Sequence, residues 1–491
     1  MGYKLELLKS IHFGERVAED DSNLADYFVE TNIWKQLIND RIDVVYGAKG
    51  SGKSALYRHL LHKESFFTER DILLIPAENI RGATVFKQVL GNQELNEESF
   101  RHLWFMYILT LIGDKIKSYK DDYKKVRLFI SKLEDEGLLN GSGLRHILIN
   151  VRDYVSSIFR RFESVEGGVS VDPTTATPKL SGKITMSEPT PELRQTGTIS
   201  VYDLIEMAEE ALYEIGTKVW ITFDRLDVAF SENPQLETLA IKTLFRVYND
   251  IKDYDKISLK IFIRDDIWKR ISMGGFREAS HITKQVTIRW TEQDLLHLLV
   301  SRAVDNDDLI KYMGISKSIV LTNTDSQREF FYNIFPEKVD TGRNPETFKW
   351  MISRVKDGLG IIAPRELIHL LNESRDEQIK ALETGTTEDS FPNLISRKAL
   401  KEALIIVSRV RLEQTIYPEY PHLKPFIESL EEQKTEQDIN TLSKILELNL
   451  EETRKIVSEL VNIGIFEDRK GTYWTPFLYR GGLRLSQGRE D

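Results

Sequence analysis

The sequence predicts an α/β fold in which short parallel strands carry a glycine-rich loop, with a helical insertion within the sheet region and helices plus a small unit behind it. Three observations predict it. A strand, turn and helix succeed one another around position 50, with glycines at fixed spacing in the turn. Apolar runs of strand length recur at 71–76, 219–224, 259–263 and 286–290, the first two nearly continuous, as strands buried on both faces are. Helical periodicity dominates 97–163 and most of the chain beyond 291.

The glycine-rich stretch is the most informative. Val44, Val45 and Tyr46 read as a strand, and Ala55, Leu56, Leu60 and Leu61 as the inward side of a helix starting at Lys53. Between them Gly47, Ala48, Lys49, Gly50, Ser51, Gly52, Lys53 and Ser54 spell G-x-x-x-x-G-K-S, the phosphate-loop pattern, with Ala55 following. A polyphosphate is wrapped by backbone N–H groups, and glycine lets the chain come close enough. The helix behind aims its N-terminal donors at the anion, Lys53 reaches the β- and γ-phosphates, and the Ser54 hydroxyl ligates Mg2+. The expected ligand is therefore ATP with Mg2+. A GTPase is disfavoured, because no N-K-x-D guanine-reading pattern occurs.

The 491 residues leave room for about three domains. With 67 basic and 77 acidic residues the formal charge is −10, which argues against bulk electrostatic binding to nucleic acid. Cysteine is absent, excluding disulfides, thiolate zinc sites and thiol nucleophiles. The most apolar stretch, 103–112, is too short for a membrane span. MGYKLELLKSIHFGERVAED lacks the apolar core of a secretory signal, and Glu6 fails the myristoylation pattern. A cytoplasmic protein without a membrane partner is expected.

In chain order, Leu24, Tyr27, Phe28, Ile33, Trp34 and Leu37 fit amphipathic helices, and Phe13 and Gly14 lie either near an adenine or in core packing. The core is expected over 1–290. Its helical insertion, about 97–163, holds Leu103, Phe105, Ile108, Leu111, Ile112, Val126, Leu128, Ile130 and Leu133 at helical spacing, with breaks near Gly137 and Gly141. The loop-rich stretch of about 165–199 forms either a small hairpin, from 169–171 and 182–186, or a tether. Ser200 and Asp203 then form a capping box, and Gly216 stops that helix.

Next comes Val219-Trp220-Ile221-Thr222-Phe223-Asp224, a strand ending in a carboxylate, the form of a Walker B strand whose aspartate holds Mg2+. Arg225 stands where an adjacent glutamate would, so Asp227 is the nearest candidate to orient the attacking water; otherwise it caps the next turn. Strand 259–263 runs into Arg264, read either as a γ-phosphate sensor or as a partner of Asp265 or Asp224. Arg277, after Gly274-Gly275, is either an arginine acting on a neighbour's site or a solvated loop residue.

Thr291 and Asp294 form a second capping box, with Trp290 placed to staple onto Leu295, and open a helical lid at 291–395. Pro345 and Pro364 mark two helix starts. Arg365 is a cation at a helix N-terminus, where it opposes the dipole; it either reaches bound phosphate or pairs with Glu366 or another acid. The last unit, 396–491, reads as a long helix, a linker at 416–425, three short helices and a hairpin turning at Lys470-Gly471, the winged-helix arrangement. From Lys424 onward it carries ten basic and thirteen acidic residues, which favours internal packing or partner binding over DNA.

With GAKGSGKS, FDRLD, a lid and a winged helix in this order, the chain resembles bacterial P-loop ATPases between the AAA+ class and the STAND and KAP groups. The aspartate spacing of FDRLD looks more like STAND or KAP proteins, although the inserted membrane helices of KAP proteins and the appended sensor and effector regions of STAND proteins are missing. The resemblance implies nucleotide-controlled homo-oligomerisation, slow ATP hydrolysis and an output to a separate effector, in a bacterial antiviral defence or mobile-element setting. A DNA-handling ATPase of the initiator or transposition-regulator kind, and a nucleotide-holding scaffold without turnover, are the alternatives.

Overall fold

Five parallel strands form the main sheet. In a computed structural model, which describes residues 2–77, 97–141, 143–164, 184–186, 188–195, 197–226, 234–386 and 392–489, the strands up to position 287 are β1 (Val44–Gly47), β2 (Ile72–Pro76), β3 (Ile184–Thr185), β4 (Ile199–Ser200), β5 (Lys218–Phe223), β6 (Ile257–Arg264) and β7 (Gln285–Thr287). The main sheet has the order β2-β5-β6-β1-β7 with every pairing parallel. The fold class is α/β with a parallel sheet and helical insertions.

The described residues form two units. One, the sheet unit, is Asn32–Gly47 with Leu56–Thr287; the other, the helical unit, is Met1–Thr31, Ala48–Ala55 and Ile288–Asp491. In the sheet unit the strands are buried: β1 has no exposed residue, and Val219, Trp220 and Ile221 are fully covered. That burial follows from continuous apolar runs with helices on both sides. Lys260, in the middle of β6, is fully buried and meets Asp40 at 2.5 Å, Asp43 at 2.6 Å and the Ile42 carbonyl at 2.9 Å, which pins the base of β1 beside β6.

The insertion forms helices Glu97–Ile116, Lys124–Asp135 and Leu144–Ser164, separated by turns in which Gly137 and Gly141 take positive φ. Leu128 corrects the sequence reading: it is 56% exposed, so the apolar face of its helix is built by Val126, Phe129, Ile130 and Leu133. β3 pairs with β4 in parallel, whereas the hairpin expected from 169–171 and 182–186 has its first strand outside the described residues. The Ser200–Asp203 capping box is present.

The helical unit begins with helix Gly2–Ser10 and then turns, not the helix expected around Leu24 and Phe28. Buried contacts hold this irregular stretch. Arg302 donates to the Phe13 carbonyl at 2.9 Å and pairs with Asp21 at 3.0 Å, while Asn372 donates to the Gly14 carbonyl at 2.9 Å. Phe13, 1% exposed, belongs to the core of this unit, which decides for packing over a place near an adenine. The Thr291–Asp294 box opens helix Glu292–Val304. Pro364 is at the first turn of helix Pro364–Glu383, whereas Pro345 lies ahead of helix Thr347–Val355. At the C-terminal end, β8 (Lys434–Asp438), helices Ile439–Ile445 and Leu450–Asn462, β9 (Glu467–Asp468), β10 (Thr472–Trp474) and β11 (Ser486–Arg489) follow in turn. β9 and β10 are antiparallel around Lys470 and Gly471, both at positive φ as a tight hairpin turn requires. No helix among the described residues is long and apolar enough to cross a membrane.

Candidate functional site

In the sheet unit the candidate residues gather at one edge because all five strands run the same way. Gly47 ends β1 and is paired in register with Arg264, the last residue of β6; Asp224 follows the end of β5, the next strand over. The C-terminal edge of a parallel sheet is where open α/β folds take ligands. Asp224 is 5% exposed, and the next residue, Arg225, has φ +56°, an uncommon left-handed conformation for a side chain of its size. Such outliers concentrate at functional turns. Arg264 is engaged bidentately by Asp266, at 3.0 and 2.7 Å, a partner other than the two foreseen from the sequence. Burial pushes the Asp266 carboxyl up, but Arg264 outweighs it and holds it below the ordinary range. Asp227 lies outside the described residues.

Arg277 is placed elsewhere. Helix Asp265–Met273 leaves the end of β6 and runs back along the sheet for about 13 Å. The short helix Arg277–His281 follows, and its Glu278 and His281 carbonyls accept from Asn249 and Lys252, which precede the start of β6 at the opposite edge. Arg277 is exposed there, so the structure does not bring it to the edge of Gly47 and Asp224.

The loop itself packs in the helical unit. Gly50 and Gly52 take φ +79° and +101°, so glycine is needed at these two positions for conformation. Ser51 N–H donates to the Ala48 carbonyl at 3.1 Å, and the Lys53 ammonium donates to the same carbonyl at 3.0 Å. Lys53 and Ser54 open helix Lys53–His62. Three side chains of the same unit meet this loop. Trp290 Nε1 donates to the Ser51 carbonyl at 2.8 Å. Arg365 lies so close that a Cβ on Gly50 would meet its Cβ at 3.1 Å. Glu419 forms an ion pair with Lys49. The Trp290 and Glu419 contacts were missed from the sequence: Trp290 carried a signal, since a buried indole N–H needs an acceptor, whereas Glu419 carried none.

Among the described residues, the Ser51 hydroxyl and Arg365 Nε are buried here without a hydrogen-bond partner. Arg365 also lines a cavity of about 160 Å3 with Arg16, His369, Gln414 and Arg411. Unpartnered buried donors beside a glycine loop fit an anionic ligand with many acceptor oxygens. In the sheet unit, the buried Asp224 carboxylate is an oxygen donor of the kind Mg2+ prefers.

No family model matches the sequence, and no curated protein matches it. Among solved structures the chain is similar to the ORC2 protein of Aeropyrum pernix, described in ADPNP–ADP complexes, at 12% identity and a TM-score of 0.30, over 92% of this chain and 91% of that one. An overlap this loose carries no structural argument; the fold class rests on the strand order and register above.

Proposed function

We propose that the protein is a Mg-ATP-binding ATPase that acts as a nucleotide-dependent oligomerising switch. The observation that carries this reading is the loop itself: G-x-x-x-x-G-K-S after a central parallel strand, with two glycines at positive φ and two unpartnered buried polar atoms beside it. In this reading the backbone of Gly47–Ala55 and the Lys53 ammonium hold the phosphates. Arg365 reaches them from the lid, and by the two sequence motifs Ser54 and Asp224 would be the residues that hold Mg2+. The metal's contribution is neutralisation of charge on the transferred phosphoryl group. Asp227 orients the attacking water, and Arg264 exchanges Asp266 for the γ-phosphate. Arg277, exposed at the far edge of its sheet, serves a neighbouring copy, which makes the site complete only in an oligomer. The resemblance to free-standing P-loop ATPases supports antiviral defence with a separate effector as the setting.

The C-terminal unit, which we read as a winged helix, is assigned to partner binding. On helix Leu450–Asn462, Glu451, Glu452 and Glu459 outnumber Arg454 and Lys455, and Lys455 is engaged by Glu451 at 3.1 Å, a poor surface for DNA phosphates. Phosphate release by wild type, Lys53→Ala and Asp227→Ala tests the enzyme reading. Release by wild type alone is expected; equally slow release by all three would leave a scaffold without turnover. DNA affinity that falls steeply with salt would turn the reading to a DNA-handling ATPase.

A further inference from the structure

Within the helical unit, the loop is met by a stretch of unusual backbone. Helix Arg397–Arg411 passes without a break into a π-helical turn, Leu412–Ile416, and then into Tyr417–Glu419. A π-turn is rare, and it rotates the following side chains away from where a regular helix would place them. One flank of this turn pairs with the glycine loop and the other leads to it through Glu366. At its far end Glu419 pairs with Lys49 of the loop. At its near end Arg411 donates to Glu366 at 2.8 Å, and Glu366 follows Arg365, which packs on Gly50.

The same helix holds the C-terminal unit. Gly482 N–H donates to Ser408 Oγ at 2.7 Å, and a Cβ on Gly482 would meet Leu412 at 2.8 Å and Ser408 at 3.0 Å. Helix and C-terminal unit are thus in direct backbone approach at the start of the π-turn. Arg411 and Leu478 also line a small cavity together with Ala48 and Lys49 of the loop. One element therefore touches the loop through Glu419, faces it across this cavity through Arg411, and meets the C-terminal segment with its flank.

A carboxylate on the loop's lysine is a charge of the same sign as the phosphates that the loop is built to hold. Charge-assisted pairs are exclusive: an ammonium neutralised by Glu419 offers less to an incoming anion, and a triphosphate carries far more charge than one carboxylate. We propose that Glu419 is an internal competitor of the nucleotide, holding Lys49 in the free chain and let go when a triphosphate enters, and that the π-turn passes this release to the C-terminal unit. The proposal rests on the nucleotide reading and gives that site its regulation. By linkage, whatever Glu419 takes from nucleotide affinity, the nucleotide takes from the contact.

The test combines Mg-ATP titration with hydrogen exchange on the full chain, for wild type, Glu419→Gln, Lys49→Met and, as a charge control, the exposed Glu428→Gln. Expected results are faster exchange at 412–420 in wild type on adding Mg-ATP, and equally fast exchange in Glu419→Gln and Lys49→Met without it. Glu419→Gln binds Mg-ATP roughly five- to tenfold tighter, at the low end of typical site-to-site coupling. Glu428→Gln behaves as wild type. Wild type binding Mg-ATP while Glu419→Gln binds equally well, with exchange at 412–420 insensitive to nucleotide, would overturn the proposal and leave the nucleotide reading standing. Failure of wild type to bind Mg-ATP would remove both.

Discussion

Replacing Lys260 by Met tests what fixes the register of the loop strand. The ammonium is fully buried and holds Asp43 at 2.6 Å, Asp40 at 2.5 Å and the Ile42 carbonyl at 2.9 Å, over the face of Trp220. Met keeps the volume and loses the charge. Asp40 retains Lys218 at 2.6 Å and is partly exposed, so it loses little. Asp43, with a side chain 8% exposed, keeps among the described residues the Tyr248 hydroxyl, which donates to it at 3.0 Å. Stripping one buried carboxylate of its cation costs about 3–5 kcal/mol, a large part of the roughly 5–15 kcal/mol that holds a typical domain. Adding Asp43→Asn removes the uncompensated charge and lowers the loss to about 1–2 kcal/mol, the cost of an imperfect hydrogen bond. Hydrogen exchange at β1 and β6 measures this unit by itself. A loss under about 1 kcal/mol for Lys260→Met, or a double variant as unstable as the single one, refutes the reasoning.

Arg365→Ala is expected to weaken ATP binding by roughly 10- to 100-fold, as one charged hydrogen bond is lost, and to leave ADP binding near wild type; paired titrations check it. Gly14→Ala should destabilise the helical unit by about 3 kcal/mol or more, because the backbone is at φ +75° and the new Cβ would lie 1.9 Å from the Arg302 guanidinium that pairs with Asp21; denaturant melts report it. His59 and His102 are both pushed down to about 4, chiefly by burial. They stay neutral in the fold while unfolded imidazoles, near 6.5, take up protons, so stability is full above about pH 6.5 and is lost as pH falls toward 4. His102→Phe should make that slope shallower in melts between pH 7 and 4.

Much of the frame was legible because it is local. The glycine-rich turn between strand and helix, the two capping boxes at Ser200 and Thr291, and the strand leading to Asp224 each depend on residues close in sequence, where steric and hydrogen-bonding rules are strong. The sheet order was not legible: nothing in Leu259–Ile263 says that this strand lies between β1 and β5, since parallel pairing is decided by packing across long separations. The same limit hid the Glu419 contact, which joins residues 49 and 419. Buried polar strapping, not helical periodicity, organises the stretch around Leu24 and Tyr27, so an apolar pattern there was read as helix. Leu128 fits a helical stripe by spacing, yet the rotation of its helix turns it outward. The π-turn at Leu412–Ile416 has no sequence signal, and proline at 418 and 421 pointed only to a linker.

The central claim is that Lys53 and its loop hold a nucleoside triphosphate with Mg2+. Titration calorimetry of Mg-ATP into wild type and Lys53→Ala measures it most directly. Binding by wild type, weakened at least about tenfold in Lys53→Ala by loss of one charge-assisted contact, is the predicted result. Heat traces that are flat for wild type, or identical for the two proteins, would contradict it.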